Sequence, residues 1–216
     1  MTAKRILAIN PNSNGNVTRA MQSAVQEFQQ PGVLEIECRS IENGPFGIES
    51  DDDIEAALPL VVSEISRSGE FDAYIIACYS DPGLREARTI CKKPVLGIQE
   101  SAVMLAATYG WKFGVLALGR DSIQRHIAYV RQLGMQDFHA GERALHVSVE
   151  EASDPGTLAK IVETGRLLID EDGADTVILG CAGMAGHRTP AQQALGVPVI
   201  DPTQAAVKLA IDSIAG

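Results

Sequence analysis

Short, continuously apolar runs alternate along this chain with longer stretches of helical period. Lys4-Arg-Ile-Leu-Ala-Ile9, Phe71-Asp-Ala-Tyr-Ile-Ile-Ala-Cys78, Lys112-Phe-Gly-Val-Leu-Ala117 and Ala174-Asp-Thr-Val-Ile-Leu-Gly-Cys181 read as buried strands. Between them, Val17, Ala20, Met21, Ala24, Val25 and Phe28 recur at the spacing of one helix face. Ile123, Ile127 and Val130 do the same, with Asp121 placed to cap that helix. Leu158, Ile161, Val162, Leu168 and Ile169 form a third stripe. Asp154-Pro155 sits where an N-cap and N1 proline belong, and Gly173 where a helix exit belongs. Asp51 to Asp53 open a further helix and complement its dipole. Apolar strands alternating with helices predict parallel sheets covered on both faces.

The pattern occurs twice. The strands ending in Cys78 and Cys181 lie 103 positions apart, and Pro94-Val-Leu-Gly-Ile98 matches Pro198-Val-Ile-Asp-Pro202 at an offset of 104. The expected fold is α/β, with two pseudo-symmetric lobes. Each is a parallel sheet flanked by helices, and the active site lies in the cleft between them. Lobe one spans 1–98 and takes back a C-terminal helix, 203–216. Lobe two spans 99–202, and the whole forms a single structural unit.

Composition narrows the partners. The 216 residues include 18 basic and 28 acidic ones, for a net charge of −10. No basic stripe occurs, which argues against nucleic acid and anionic membrane. The longest early apolar run is Ile6 to Ile9, too short for a signal-peptide core or a membrane span, so a cytoplasmic location is expected. Four cysteines without a C-x-x-C pair suggest neither a disulfide framework nor a structural zinc. No metal site is expected. The remaining partner is a small-molecule substrate.

Cys78 and Cys181 carry the chemistry. Ligands of parallel sheets sit beyond the carboxyl ends of the strands, where both cysteines fall. A helix start after each would lower its thiol pKa below the free value of about 8.5. Two facing thiols suit inversion of a carbon centre, since one side removes a proton and the other returns one. Backbone N–H groups nearby would hold the enolate oxygen, so no cofactor is needed. A lone cysteine is more often core, but two at matched positions of a repeat favour function. Cys38 and Cys91 lack such partners and read as structural.

Other residues fall around this pair. Asn10, Asn12 and Ser13 follow the first strand and could bind substrate or merely form a turn. Gly44 to Ser50 could form a lid, with Phe46 as an apolar wall, or a plain turn. Tyr79 and Ser80 follow Cys78, and Asp81 is placed to cap the next helix. Ala182, Gly183 and Met184 follow Cys181, where small residues allow close backbone approach. Gly180, Gly183 and Gly186 do not have phosphate-loop spacing. Of the four scattered histidines, only His187 lies near either cysteine in sequence.

These residues bring a family into view. Ile9-Asn-Pro-Asn-Ser13, Gly44-Pro-Phe-Gly-Ile-Glu-Ser50, Ala77-Cys-Tyr-Ser-Asp-Pro-Gly-Leu84, Pro94-Val-Leu-Gly-Ile98, Leu179-Gly-Cys-Ala-Gly-Met-Ala185 and Gly196-Val-Pro-Val-Ile-Asp201 resemble the aspartate/glutamate/hydantoin racemase superfamily, in its hydantoin and allantoin branch. The resemblance runs along nearly the whole chain. It implies a cofactor-independent racemase, a homo-oligomer, with Cys78 and Cys181 as catalytic residues. Free-amino-acid racemases of the superfamily place a hydroxyl residue beside the second cysteine. Here Ala182-Gly183 stands there, which favours a neutral cyclic amide or ureide such as hydantoin or allantoin. Relatives of the branch carry a threonine pair where this chain has Ala117-Leu118-Gly119, and Asp201-Pro-Thr-Gln replaces a glycine-containing turn. The substrate is thereby left open. The competing readings are a maleate isomerase or arylmalonate-decarboxylase-like enzyme of the same fold, and a thiol redox or small-ligand-binding module.

Overall fold

The sequence repeat becomes two four-stranded parallel sheets with the same strand order. A computed structural model describes residues 3–215. Strands β1 (Lys4–Asn10), β2 (Leu34–Ser40), β3 (Ala73–Ile76) and β4 (Val95–Gly97) form the first sheet in the order β2-β1-β3-β4. Strands β5 (Phe113–Ala117), β6 (His139–Ala144), β7 (Thr176–Leu179) and β8 (Val199–Ile200) form the second in the order β6-β5-β7-β8. The central pairs are equivalent: Ile6 lies beside Ala73 in one sheet and Phe113 beside Thr176 in the other. The fold is therefore the two-lobed α/β arrangement that the apolar runs predict.

The helices cover the sheet faces. Helix α1 (Gly15–Val25) buries Val17, Met21 and Val25, and the Asn14 side chain caps it. Helix α2 (Asp51–Arg67) starts with a reciprocal capping box between Ser50 and Asp53, and three aspartates complement its first turn. Helices α3 (Leu84–Ile90), α4 (Ile98–Thr108), α5 (Ile123–Gln132), α6 (Thr157–Asp170), α7 (Arg188–Leu195) and α8 (Pro202–Ile214) complete the layers. None of these helices is long and apolar enough to cross a membrane, among the described residues.

Two helices change lobes. Helix α4 follows the first sheet yet packs Ala102, Val103 and Ala106 with Phe113, Val115 and Ile178 of the second. Helix α8 follows the second sheet yet packs Ala206, Val207 and Ala210 with Ile6, Ala8 and Ile75 of the first. Alanines on these faces let the helix backbones come close to the strands.

Two helix starts differ from expectation. Asp121 does not cap α5. That helix begins at Ile123 after a turn in which Ser122 is already helical, and no side chain caps it. Its enclosed face is His126 and Val130, while Ile123 and Ile127 are half-buried. Helix α6 begins at Thr157, because Asp154-Pro155 forms the preceding turn, in which Thr157 N–H donates to the Asp154 carbonyl. Gly173 does sit at the exit of α6, at φ +74, a backbone conformation that glycine adopts without cost.

Candidate active site

The carboxyl ends of β1, β3, β5 and β7 converge on one cavity of about 130 Å³. Cys78 and Cys181 both line it, one from each lobe. Asn12 enters from the loop after β1, Leu118 and Gly119 from the loop after β5, and Ile48 and Glu49 from the strap before α2. Tyr79 and Ser80 continue the wall beyond Cys78, and Ala182 beyond Cys181.

The two thiols are held differently. Cys181 precedes a 3-10 turn, Ala182–His187, and its sulfur accepts the Gly183 N–H at 3.3 Å. Burial pushes its pKa up to about 11, although the Gly183 and Met184 N–H groups pull it down. Cys78 is pushed up to about 12 by burial and by the nearby Cys181, while the Ser80 N–H and Arg125 oppose the shift. The expected lowering by a helix start is thus overturned. Helix α3 begins only at Leu84, and enclosure outweighs the local N–H groups.

The loop carrying Cys78 is anchored by Asp81, which has φ +44. Its carboxylate accepts the Gln99 and Glu100 N–H groups at 3.0 and 2.9 Å. Asp81 therefore caps α4, not the helix that follows it. Gly97 makes room for this: a Cβ there would lie 2.2 Å from the Asp81 carboxyl.

The Asn-Pro-Asn loop divides its tasks. Asn10 is fully buried, and its Nδ2 donates to Asn12 Oδ1, the Asn14 carbonyl and Thr18 Oγ1. Asn12 Oδ1 also accepts the Asn14 N–H at 2.9 Å. That occupies the amide oxygen of Asn12 and leaves its Nδ2 as a donor beside the cavity. Ser13 donates to the Pro45 carbonyl from both its N–H and its Oγ. Asn10 and Ser13 support the wall without forming it.

The profile of the Asp/Glu/hydantoin racemase family matches residues 6–210. The chain belongs to that family. It is an isomerase of the racemase class. It is 32% identical over 217 residues to a hydantoin racemase of Paenarthrobacter aurescens, covering 98% of this chain and 91% of that one. It is 35% identical over 210 residues to a hydantoin racemase of Pseudomonas sp. (strain NS671), covering 95% and 84%. The solved structure of an allantoin racemase from Klebsiella pneumoniae superposes with a TM-score of 0.92 at 31% identity, covering 99% of this chain and 88% of that one.

Within this racemase-family fold, some expected site residues lie elsewhere. Phe46 is 59% exposed and does not line the cavity, and Ile48 and Glu49 of the same strap form the wall instead. Met184 is fully buried and packs in the core of the second lobe with Leu179 and Ala191. Gly183 serves the site through its N–H on the Cys181 sulfur. His187 gives its Nε2 to the Ala152 carbonyl at 3.2 Å and does not line the cavity, and burial lowers its pKa.

Helix α5 and the turn before it supply residues that sequence reading missed. Ser122, Arg125 and His126 all line the cavity. Their one sequence signal was a polar residue, His126, four positions before Val130 on the inner face of a helix. Cys38 and Cys91 pack against core clusters, as read from the sequence.

Proposed function

We propose that this chain racemises a small hydantoin, allantoin or related cyclic ureide by 1,1-proton transfer between Cys78 and Cys181, without a cofactor. The observation that carries this reading is that both cysteines, from matched strand ends, line one cavity. A thiolate on one side takes the hydrogen of the stereocentre: the C–H bond breaks and an S–H bond forms. The electron pair moves onto the adjacent carbonyl oxygen. The opposite thiol then protonates the other face of the carbon, and its S–H bond breaks.

The surroundings support a small neutral ring. The cavity lies below the 300–1,000 Å³ of drug-sized sites. Ala182 and Gly183 offer no side-chain hydroxyl to a carboxylate. Asn12 Nδ2 is a donor that could meet a ring carbonyl as it gains charge. The Leu118 side chain stands where relatives are expected to carry a hydroxyl, which makes this pocket more apolar than theirs.

The experiment follows optical rotation and deuterium uptake together in deuterated water. 5-Alkyl hydantoins and allantoin should lose rotation and gain one deuterium at the stereocentre. Cys78→Ser and Cys181→Ser should each lower turnover of both enantiomers by about 10²-fold or more. Full activity in both variants would rule out the two-thiol mechanism. Conversion of maleate with every hydantoin and allantoin left optically unchanged would replace this reading with the isomerase one.

A further inference from the structure

A buried histidine–carboxylate pair sits at the cavity wall, with His126 in the lining and Glu142 behind it. The His126 ring meets Tyr79 edge-on, with centroids 5.1 Å apart and planes at 81°. Its Nδ1 lies 3.0 Å from Glu142 Oε2. The Glu142 side chain is 0% exposed and that of His126 3%. The other Glu142 oxygen forms no hydrogen bond, and His139 Nε2 lies 3.5 Å from it.

This arrangement decides the chemistry of the free nitrogen. Opposite an ionised carboxylate, which only accepts, the Nδ1 of a neutral imidazole carries the hydrogen. In the neutral ring, Nε2 then holds the lone pair and becomes an acceptor. Among the described residues, no hydrogen bond reaches Nε2, and His126 is one of the residues that line the cavity, with Tyr79, the neighbour of Cys78.

We propose that His126 Nε2 accepts a hydrogen bond from a ring N–H of the substrate, which makes the site selective for ureide rings over rings of the same shape that lack that N–H. The inference deepens the racemase reading and rests on it. Glu142 is a positioning residue, because it fixes the imidazole tautomer without touching substrate. The selectivity arises because a substrate without the N–H leaves a desolvated acceptor unpaired.

Three rings test it: a 5-alkyl hydantoin, the matching oxazolidine-2,4-dione with ring oxygen in place of the N–H beside the stereocentre, and the N3-methyl hydantoin. One of the two replacements should lower kcat/KM by about 10- to 100-fold in the unmodified enzyme. Glu142→Gln places an amide donor opposite Nδ1 and permits the other tautomer at unchanged cavity size. It should shrink that discrimination to about threefold or less, whereas a purely steric preference would persist. Nitrogen-15 NMR of the unmodified protein should show the hydrogen on Nδ1 of His126, and the Nε2 signal should shift on adding the hydantoin. Equal turnover of all three rings overturns the proposal, as does survival of the discrimination in both Glu142→Gln and His126→Ala, or a hydrogen on Nε2. If no ring is racemised at all, the racemase reading fails by itself. The NMR titration then still decides the contact: no Nε2 shift with hydantoin overturns it.

Discussion

Glu49 Oε1 accepts the Val149 N–H at 2.8 Å, joining residues one hundred positions apart. Two residues further on, Asp51, the first residue of α2, pairs with Arg125. Both Glu49 and Arg125 line the cavity, so the strap from the first lobe is clasped to the second beside the thiols. Gly47 packs against Val149 in the same place.

The two clasps should differ in strength. Asp51 is 80% exposed, so Asp51→Asn should change stability by less than about 1 kcal/mol. Glu49→Ala removes a charge-assisted bond to a part-buried N–H and should cost about 1.5–3 kcal/mol. Thermal melts read both, and KM should rise more in Glu49→Ala. A Glu49→Ala protein that melts like the parent would show that the strap is held by packing alone.

The raised thiol pKa values set a pH profile. Burial favours the thiol over the thiolate at both cysteines in the empty site, pushing Cys78 up to about 12 and Cys181 to about 11, so the reacting thiolate is the minor form there near neutrality. Alkylation by iodoacetamide requires the thiolate. Its rate at either cysteine should climb roughly tenfold per pH unit from 7 to 10. Mass spectrometry of the modified peptides reads each site, and a plateau near pH 8 would contradict the burial argument.

Asp81 should make acid favourable to the fold. Burial raises its carboxyl from 3.8 to about 7. Between those values the native state binds the proton and the unfolded chain does not, so stability from this group is full below about pH 4 and declines as pH rises to about 7. Asp201, raised to about 6 by burial, acts in the same direction. Urea unfolding at pH 5 and 7 should show a smaller difference in Asp81→Asn than in the parent.

Gly97→Ala tests how the Cys78 loop is seated. The added methyl would meet the Asp81 carboxyl at 2.2 Å. Overpacking of this kind costs about 1–3 kcal/mol. The displaced Asp81 would carry the loop of Cys78 with it, so kcat should fall together with stability. Retained kcat in a destabilised Gly97→Ala protein would uncouple the loop from Asp81.

Much of this was legible in the chain because it depends on periodicity. Continuous apolar runs locate the strands, and their recurrence locates Cys78 and Cys181 at matching ends. What periodicity cannot tell is which buried face looks onto a cavity. Ile123, Ile127 and Val130 mark an inner face on α5, yet the same face delivers His126 to the site. Met184 and Phe46 fail for the converse reason. Apolar character alone does not separate a core neighbour, a pocket wall and a solvent-facing side chain. The thiol pKa expectation failed because desolvation depends on enclosure by residues distant in sequence. Leu118 is a partial success, since a departure noted in the sequence does fall on the cavity wall.

The exchange of α4 and α8 between lobes has a consequence for how the chain can come apart. Cutting the polypeptide near residue 110 would leave each fragment holding the other's cover and an uncovered apolar sheet of its own. Neither fragment should then fold alone, and mixing the two should restore the fold by mutual rescue. In the intact chain the same interlock predicts one cooperative unfolding transition despite two sheets. The repeat visible in the sequence is thus a repeat of architecture and not of foldable halves.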